Sequence, residues 1–214
     1  MKDLSNYRKS YEKDSLLENQ LPISPLELFK NWFTDAENSD GVEEANAMTI
    51  STISNNGYPN ARVVLLKQFN EDGFVFYTNY NSKKGKSIAE NNKVGISFFW
   101  PALERQIIIN GIAEKTASAV SDAYFSSRPK GSQMGAIASP QSQVIPNREF
   151  LEEVLKNIEQ ENKEQDSLKR PEHWGGYIVK PTQIEFWQGR ANRLHDRIVY
   201  TKEENNWVYN RLAP

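Results

Sequence analysis

There is no cysteine among the 214 residues. That absence removes disulfides, thiolate metal ligands and cysteine nucleophiles together, and it gives no support to secretion. Histidine is nearly as scarce. His173 and His195, 22 residues apart, are the only two, which leaves metal catalysis without a ligand set. Long apolar runs are missing as well: the longest, Val94 to Trp100, stops at Pro101 and is strand-sized, against ~20 residues for a membrane span. The first residues, Met1-Lys2-Asp3-Leu4-Ser5-Asn6, are polar and carry no signal-like apolar region. Nor is one sign of charge in excess, because 26 basic against 28 acidic side chains leave a net of −2, unlike a general nucleic-acid binder. The expectation is a cytoplasmic protein with no membrane, nucleic-acid or metal partner.

What is present is a core. Apolar residues make up 38% and aromatics 11%, enough to exclude a disordered polymer despite a mean hydropathy of −0.70. The length suits a single domain over residues 1–214, able to bury roughly 70% of its unfolded surface. Charge is distributed unevenly. Residues 1–60 hold 5 basic and 10 acidic side chains, whereas 61–132 hold 10 and 6. A basic middle in an acidic chain points to a focused anion site, and random fluctuation among solvated side chains accounts for it equally well.

Leu4 to Leu17 has loose helical spacing through Leu4, Tyr7, Tyr11 and Leu16, and Ser24-Pro25 opens a firmer helix. Beyond Gly41 the pattern becomes that of strands: Ala47–Ile53, Ala61–Phe69, Gly73–Thr78, Val94–Trp100 and Gln106–Ala113. Helices are expected around Ser118–Ser127, Gln133–Ala138 and Asn147–Gln160. Further strands follow at Gly176–Val179, Gln183–Gln188, Asp196–Tyr200 and Trp207–Tyr209. The expected fold is mainly β with added helices (α+β), built on a β-barrel core.

Four local arrangements carry chemistry. Arg62-Val63-Val64-Leu65-Leu66-Lys67 reads as a strand covered on both faces, with cations at its two ends. Those ends are either snorkelling side chains or two anion ligands on a rigid element. Ser82-Lys83-Lys84-Gly85-Lys86 starts a helix whose first-turn lysines oppose the positive end of the dipole, at ~0.3–1 kcal/mol each. A bound phosphate would reverse that sign; a solvated lysine patch is the other reading. In Tyr124–Ser132, Tyr124 and Arg128 share a helix face and Ser132 sits where it can cap the next helix. This is either a second phosphate site or a polar connector. In Arg190-Ala191-Asn192-Arg193-Leu194-His195-Asp196-Arg197, an extended chain would put Arg193, His195 and Arg197 on one face, as a ligand wall or around a structural histidine.

Together these segments resemble the pyridoxamine/pyridoxine 5′-phosphate oxidase family. The matching blocks are Arg62–Lys67, Phe76-Tyr77-Thr78, Ser82–Gly85, Glu104-Arg105-Gln106, Tyr124–Ser132, Ala138–Ser142, Trp174–Tyr177, Glu185-Phe186-Trp187, Arg193–Arg197 and Arg211–Pro214, in the family's order over almost the whole chain. The resemblance implies an FMN-binding split β-barrel working as a homodimer, with residues 171–214 completing barrel and dimer interface and 1–20 a mobile segment. It implies non-covalent FMN, since a cysteinyl link has no cysteine to use. It also implies oxidation of pyridoxamine 5′-phosphate or pyridoxine 5′-phosphate to pyridoxal 5′-phosphate, with oxygen reduced to hydrogen peroxide.

On that resemblance Arg62, Val63, Val64, Leu65, Leu66, Lys67, Tyr77, Thr78, Lys83, Lys84, Gln106, Gln141, Ser142, Trp187 and Arg197 fall on FMN-binding positions. Lys67, Tyr124, Arg128, Ser132, Arg193, Leu194 and His195 fall on substrate positions. Arg8 and Tyr11 correspond to a segment that closes over the substrate, and Arg193 and His195 to the groups nearest the reacting carbon. One departure is Lys83-Lys84 where the family usually has Arg-Lys; lysine keeps the charge and loses the bidentate fork. Two other readings fit parts of the same pattern: another split-barrel flavoprotein such as a flavin reductase, and a non-catalytic pyridoxal-phosphate carrier.

Overall fold

Strands make up about a third of this chain, several of them from alternating apolar and polar residues. The computed structural model describes residues 1–204 and 206–214. In order, the elements are α1 (Pro25–Glu37), β1 (Ala47–Ile53), β2 (Pro59–Leu65), β3 (Gln68–Asn70), β4 (Gly73–Asn79), α2 (Lys83–Glu90), β5 (Lys93–Trp100), β6 (Arg105–Lys115), α3 (Ser118–Ser127), α4 (Lys130–Ala138), α5 (Arg148–Glu161), β7 (Trp174–Gln188), β8 (Asp196–Glu203) and β9 (Asn206–Leu212). Short 3-10 turns lie at Glu18–Gln20 and Ala191–Arg193. The described strands pair in the order β2-β1-β5-β6-β7-β4-β3, with β8 on β7 and β9 on β8. No described helix is long and apolar enough to cross a membrane.

The chain packs as two compact units, the first comprising Met1–Ile50, Gly95–Gly111 and Pro181–Pro214, the second Ser51–Val94 and Ile112–Lys180. In the first, Ser24 Oγ caps α1 by accepting from the Leu26 N–H. The helix buries Leu28, Phe29 and Trp32. Phe29 meets Phe98 edge-on at 5.3 Å, and Trp32 meets Phe186 at 5.3 Å. Trp100 is fully buried, its indole N–H satisfied by the Ala45 carbonyl. On the β7–β8 ladder Trp187 lies opposite Arg197.

In the second unit Phe125, Met134, Leu168 and Trp174 form a buried cluster that Tyr77 and Tyr124 flank. The β4–β7 register sets Tyr77 opposite Gly176 and Asn79 opposite Trp174. A Cβ on Gly176 would lie 2.9 Å from the Tyr77 ring, so glycine is what lets that ring lie flat across the ladder. Ser82 Oγ caps α2 by accepting from Gly85 N–H at 3.2 Å, as its sequence implies.

Several expected elements are different. Residues 4–17 form no helix: the amides of Glu12, Lys13 and Leu16 bond to distant carboxylates, and those of Tyr7 and Arg8 to carbonyls only three and two residues back. The expected strand Ala61–Phe69 breaks after Leu65: Lys67 leaves β2 and donates its N–H to the Val75 carbonyl, and β3 then pairs with β4. Arg62 and Lys67 are therefore not the two ends of one strand. The strands expected at Gly176–Val179 and Gln183–Gln188 are one continuous β7. Ser132 does not cap α4, which begins two residues earlier behind Pro129. Residues 191–193 are not extended either, since Asn192 and Arg193 have φ of 56° and 63°.

Candidate functional site

The second unit assembles cations around two places. Arg62 on β2 donates to Thr52 Oγ1 at 2.8 Å. Lys84, in the first turn of α2, donates from Nζ to Thr78 Oγ1 at 3.1 Å and to Gln141 Oε1 at 3.2 Å. Burial, then the nearby Arg62 charge, pulls the Lys84 amine below its usual range, and burial does the same to Arg62. Both described partners of Lys84 are neutral oxygens. A dianion at this point would offset the cation–cation repulsion and meet the start of α2, so the donor set suits the phosphate of a nucleotide such as FMN. Lys83, one residue earlier and about 100° around the helix, instead lines a pocket of about 730 Å³ with Arg62, Lys86 and Asn60.

The second place is built around Arg128. Its guanidinium lies 4.7 Å above the Trp174 ring and 5.8 Å from Phe125. Its Nη1 is buried and has no hydrogen-bond partner among the described residues. Leaving such a donor unsatisfied costs about 1–3 kcal/mol. Burial lowers the Arg128 pKa, which an anionic partner would reverse. Arg128, Ser132, Asn79, Gln141 and Trp174 line a pocket of about 320 Å³. Tyr124 stacks on Tyr77 at 3.7 Å, and burial pushes its hydroxyl upward in pKa, with Arg128 opposing. The hydroxyl therefore stays protonated near neutrality and is available as a donor. Gln133, buried, fixes this corner by donating to the Arg128 and Ser126 carbonyls. Gln141 joins the Lys84 contacts and also lines the Arg128 pocket.

The first unit holds the remaining cationic wall. Tyr7, Arg8, Lys9, Ser10, Tyr11, Arg190, Asn192, Arg193 and His195 line a pocket of about 600 Å³. Tyr11 meets Trp187 edge-on at 5.7 Å and tilts against His195 at 5.8 Å. Extended spacing does not bring Arg193 and His195 to this pocket. They reach it through two successive left-handed residues, a conformation of order 1–3 kcal/mol each for non-glycine that the surroundings must enforce. The turn is held by Leu194 N–H on the Ala191 carbonyl, by Arg190 N–H on His195 Nδ1 at 3.0 Å, and by the Arg190–Asp196 ion pair. Because Nδ1 accepts, neutral His195 carries its proton on Nε2.

Other candidates are placed less closely. Lys67 and Ser142 are exposed, and Ser142 has a φ of 71°. Val63 (66% exposed) and Leu194 (70%) present apolar side chains to solvent, while Leu66 is buried and Val64 and Leu65 are intermediate. Gln106 is half-buried on β6. Arg197 is engaged by Glu185 at 2.8 Å, a bond that raises its pKa. The residues that sequence reading did not single out are Thr52, Asn79 and Gln133, while Arg190 and Asn192 lay in the fourth segment without a role of their own. None carries a spacing signal, because each matters only through a partner distant in sequence or a turn.

Comparison with known proteins agrees along the whole chain. The family described as "Pyridoxamine 5'-phosphate oxidase" matches residues 34–162, and "Pyridoxine 5'-phosphate oxidase C-terminal dimerisation region" matches residues 174–214. Proteins named pyridoxine/pyridoxamine 5'-phosphate oxidase from Flavobacterium johnsoniae and Flavobacterium psychrophilum are 59% and 58% identical, covering 100% of both chains in each case. Among solved structures, PhzG from Burkholderia lata, in complex with tetrahydrophenazine-1-carboxylic acid, superposes with a TM-score of 0.87 at 27% identity, covering 94% of this chain and 98% of that one. A pyridoxamine 5'-phosphate oxidase-related, FMN-binding protein from Nostoc punctiforme gives 0.73 at 16% identity over 91% of this chain and 100% of that one. The fold is the split β-barrel of that group.

Proposed function

This chain belongs to the pyridoxamine 5′-phosphate oxidase family, and from that membership we propose that it oxidises pyridoxamine 5′-phosphate or pyridoxine 5′-phosphate to pyridoxal 5′-phosphate, as a cytoplasmic homodimer with non-covalent FMN. Residues 1–214 act as one working domain. The observation that carries the reading is the pair of cationic sites in one unit: Arg62 with Lys84, and Arg128 with its unpartnered buried nitrogen. A flavin reductase needs the first alone. The second suits a further anionic ligand such as a phosphate ester.

When bound, FMN would supply the two-electron redox chemistry, with oxygen as the final acceptor and hydrogen peroxide as its product. The chain's own residues hold and orient. Arg62, Lys84 and Thr78 take the FMN phosphate, with Arg62 to Leu66, Tyr77, Lys83, Gln106, Gln141, Ser142, Trp187 and Arg197 completing the cofactor site. Arg128, Ser132, Tyr124 and Lys67 take the substrate phosphate. Fixing that end places the reacting carbon, an effect worth several kcal/mol. Arg193 and His195 border the reacting carbon, with Leu194, Arg8 and Tyr11 enclosing it.

The test is an absorbance spectrum before and after anaerobic addition of pyridoxamine 5′-phosphate. Flavin bands that bleach are the expected result. Bands that stay unchanged leave a split-barrel flavoprotein with another electron donor, and protein that neither contains nor takes up FMN overturns the reading.

His195 gives a pH prediction. Burial, then the Arg193 charge, depresses its pKa below 6.5, against a smaller opposing effect of Asp196. The neutral imidazole is thus favoured more than in a free histidine. Protonation puts hydrogen on Nδ1 and opposes the Arg190 N–H. The His195-dependent decline in kcat/KM therefore lies on the acid side, below pH 6.5, and His195→Asn abolishes that limb. A limb that persists unchanged in the variant assigns the titration to another group.

A further inference from the structure

The segment that carries Arg8 and Tyr11 has no secondary structure of its own to hold it, yet Tyr11 sits against Trp187 and His195. Lys13 Nζ on the Ala102 carbonyl and Asp14 on Arg105 help to hold it, but the contacts nearest Tyr11 converge on one acidic side chain at the end of the β5–β6 turn. Glu104 is 2% exposed, and a carboxylate taken out of water is stable only when its oxygens are satisfied. Its Oε2 accepts the backbone N–H groups of Glu12 at 2.8 Å and Lys13 at 3.1 Å, and Oε1 lies 3.5 Å from the Lys9 ammonium. The same residue's carbonyl accepts the Gly189 N–H at 2.7 Å. Gly189 is the surface on which Tyr11 rests: a Cβ there would lie 2.8 Å from Tyr11 Cβ and Cγ. Glu104 adopts a φ of 56°, a left-handed conformation uncommon outside glycine, and this lets its two ends serve both tasks.

We propose that Glu104 is a positioning residue for the substrate pocket: its carboxylate latches the N-terminal strap at Glu12–Lys13 while its carbonyl holds Gly189, and together they set Tyr11 against Trp187 and His195 and bring Arg8 to the pocket wall. This rests on the reading of that pocket as the vitamer site. Glu104 touches no substrate. It acts through Tyr11 and Arg8, so its loss shows in binding of the vitamer and leaves the cofactor in place.

The experiment compares wild type, Glu104→Ala, Glu104→Gln, Tyr11→Ala and the Glu104→Ala/Tyr11→Ala double variant as FMN-loaded full-length protein. It measures KM and kcat for pyridoxine 5′-phosphate and, separately, hydrogen exchange of the amides of residues 9–16. Glu104→Ala is expected to lose exchange protection at Glu12 and Lys13 and to raise KM about tenfold, the scale of a lost charge-assisted hydrogen bond. kcat is retained within about threefold. Glu104→Gln, which keeps one acceptor oxygen, recovers part of both. Adding Tyr11→Ala to Glu104→Ala changes KM by no more than about twofold, because both substitutions remove the same contact.

Unchanged protection in Glu104→Ala overturns the latch, and additive KM effects in the double variant overturn its action through Tyr11. Should Glu104→Ala fail to fold, Gly189→Ala tests the seat from the other side, with raised KM and retained protection at Glu12 and Lys13 as the expected result and unchanged KM as the opposing one. If wild type does not oxidise the vitamer at all, the functional reading fails, while the exchange measurement still decides whether Glu104 holds the strap.

Discussion

Arg128→Ala raises KM for pyridoxine 5′-phosphate by roughly 30- to 1000-fold while the protein stays yellow and kcat changes by no more than a few-fold. The size follows from removing one member of a partly buried charge pair, about 2–4 kcal/mol. The direction follows from chemistry: a phosphate is not the reacting group, so its binding is felt equally in ground and transition states. Trp174 and Phe125 flank the guanidinium, and Gln133 fixes the backbone that presents it. Arg128→Lys keeps charge but cannot reproduce the planar fork, and falls between. A sharper readout is discrimination between pyridoxine 5′-phosphate and unphosphorylated pyridoxine. Wild type prefers the phosphate ester strongly, and Arg128→Ala loses most of that preference. An unaltered preference would move the phosphate subsite elsewhere.

Arg193→Ala lowers kcat by at least about 100-fold, at the low end of what a positioned polar group supplies in a transition state, and leaves FMN bound. The substitution also touches backbone strain, since Arg193 has a φ of 63°. Arg193→Gly separates the two effects: it removes the guanidinium and relieves the left-handed conformation. Both variants lose turnover if the side chain is what acts. Recovery of activity in Arg193→Gly, with loss confined to Arg193→Ala, would show that the turn matters and the guanidinium does not. Normal turnover in both removes Arg193 from the reacting wall.

Much of the second unit's chemistry was legible beforehand because it is local. Ser82 caps α2 and Lys84 follows it in the first turn, and Tyr124 and Arg128 are one helical turn apart on α3 and its C-cap. Hydrogen bonds and dipoles over three or four residues depend on few neighbours, so spacing alone locates them. The reading failed where long-range contacts replace local ones. Leu4–Leu17 has the apolar spacing of a helix, but its Glu12, Lys13 and Leu16 amides bond to Glu104 and Asp196, roughly 90 and 180 residues away in sequence. The segment 190–196 was expected to be extended, and its turn is instead set by Arg190 N–H meeting His195 and by the Arg190–Asp196 pair.

The sequence by itself determined the kind of molecule: a mainly β chain with inserted helices, no cysteine chemistry, and phosphate-suited cations ahead of and within two short helical segments. Those properties follow from composition, periodicity and capping, which act over a few residues. The tertiary structure alone decided that Arg128 has a buried nitrogen with no partner among the described residues, that Lys84 and not Lys83 meets Thr78 and Gln141, and that Glu104 accepts the Glu12 and Lys13 amides. Each depends on burial and on partners brought together by folding, and the free energy of a charge is set by those surroundings rather than by its neighbours in the chain.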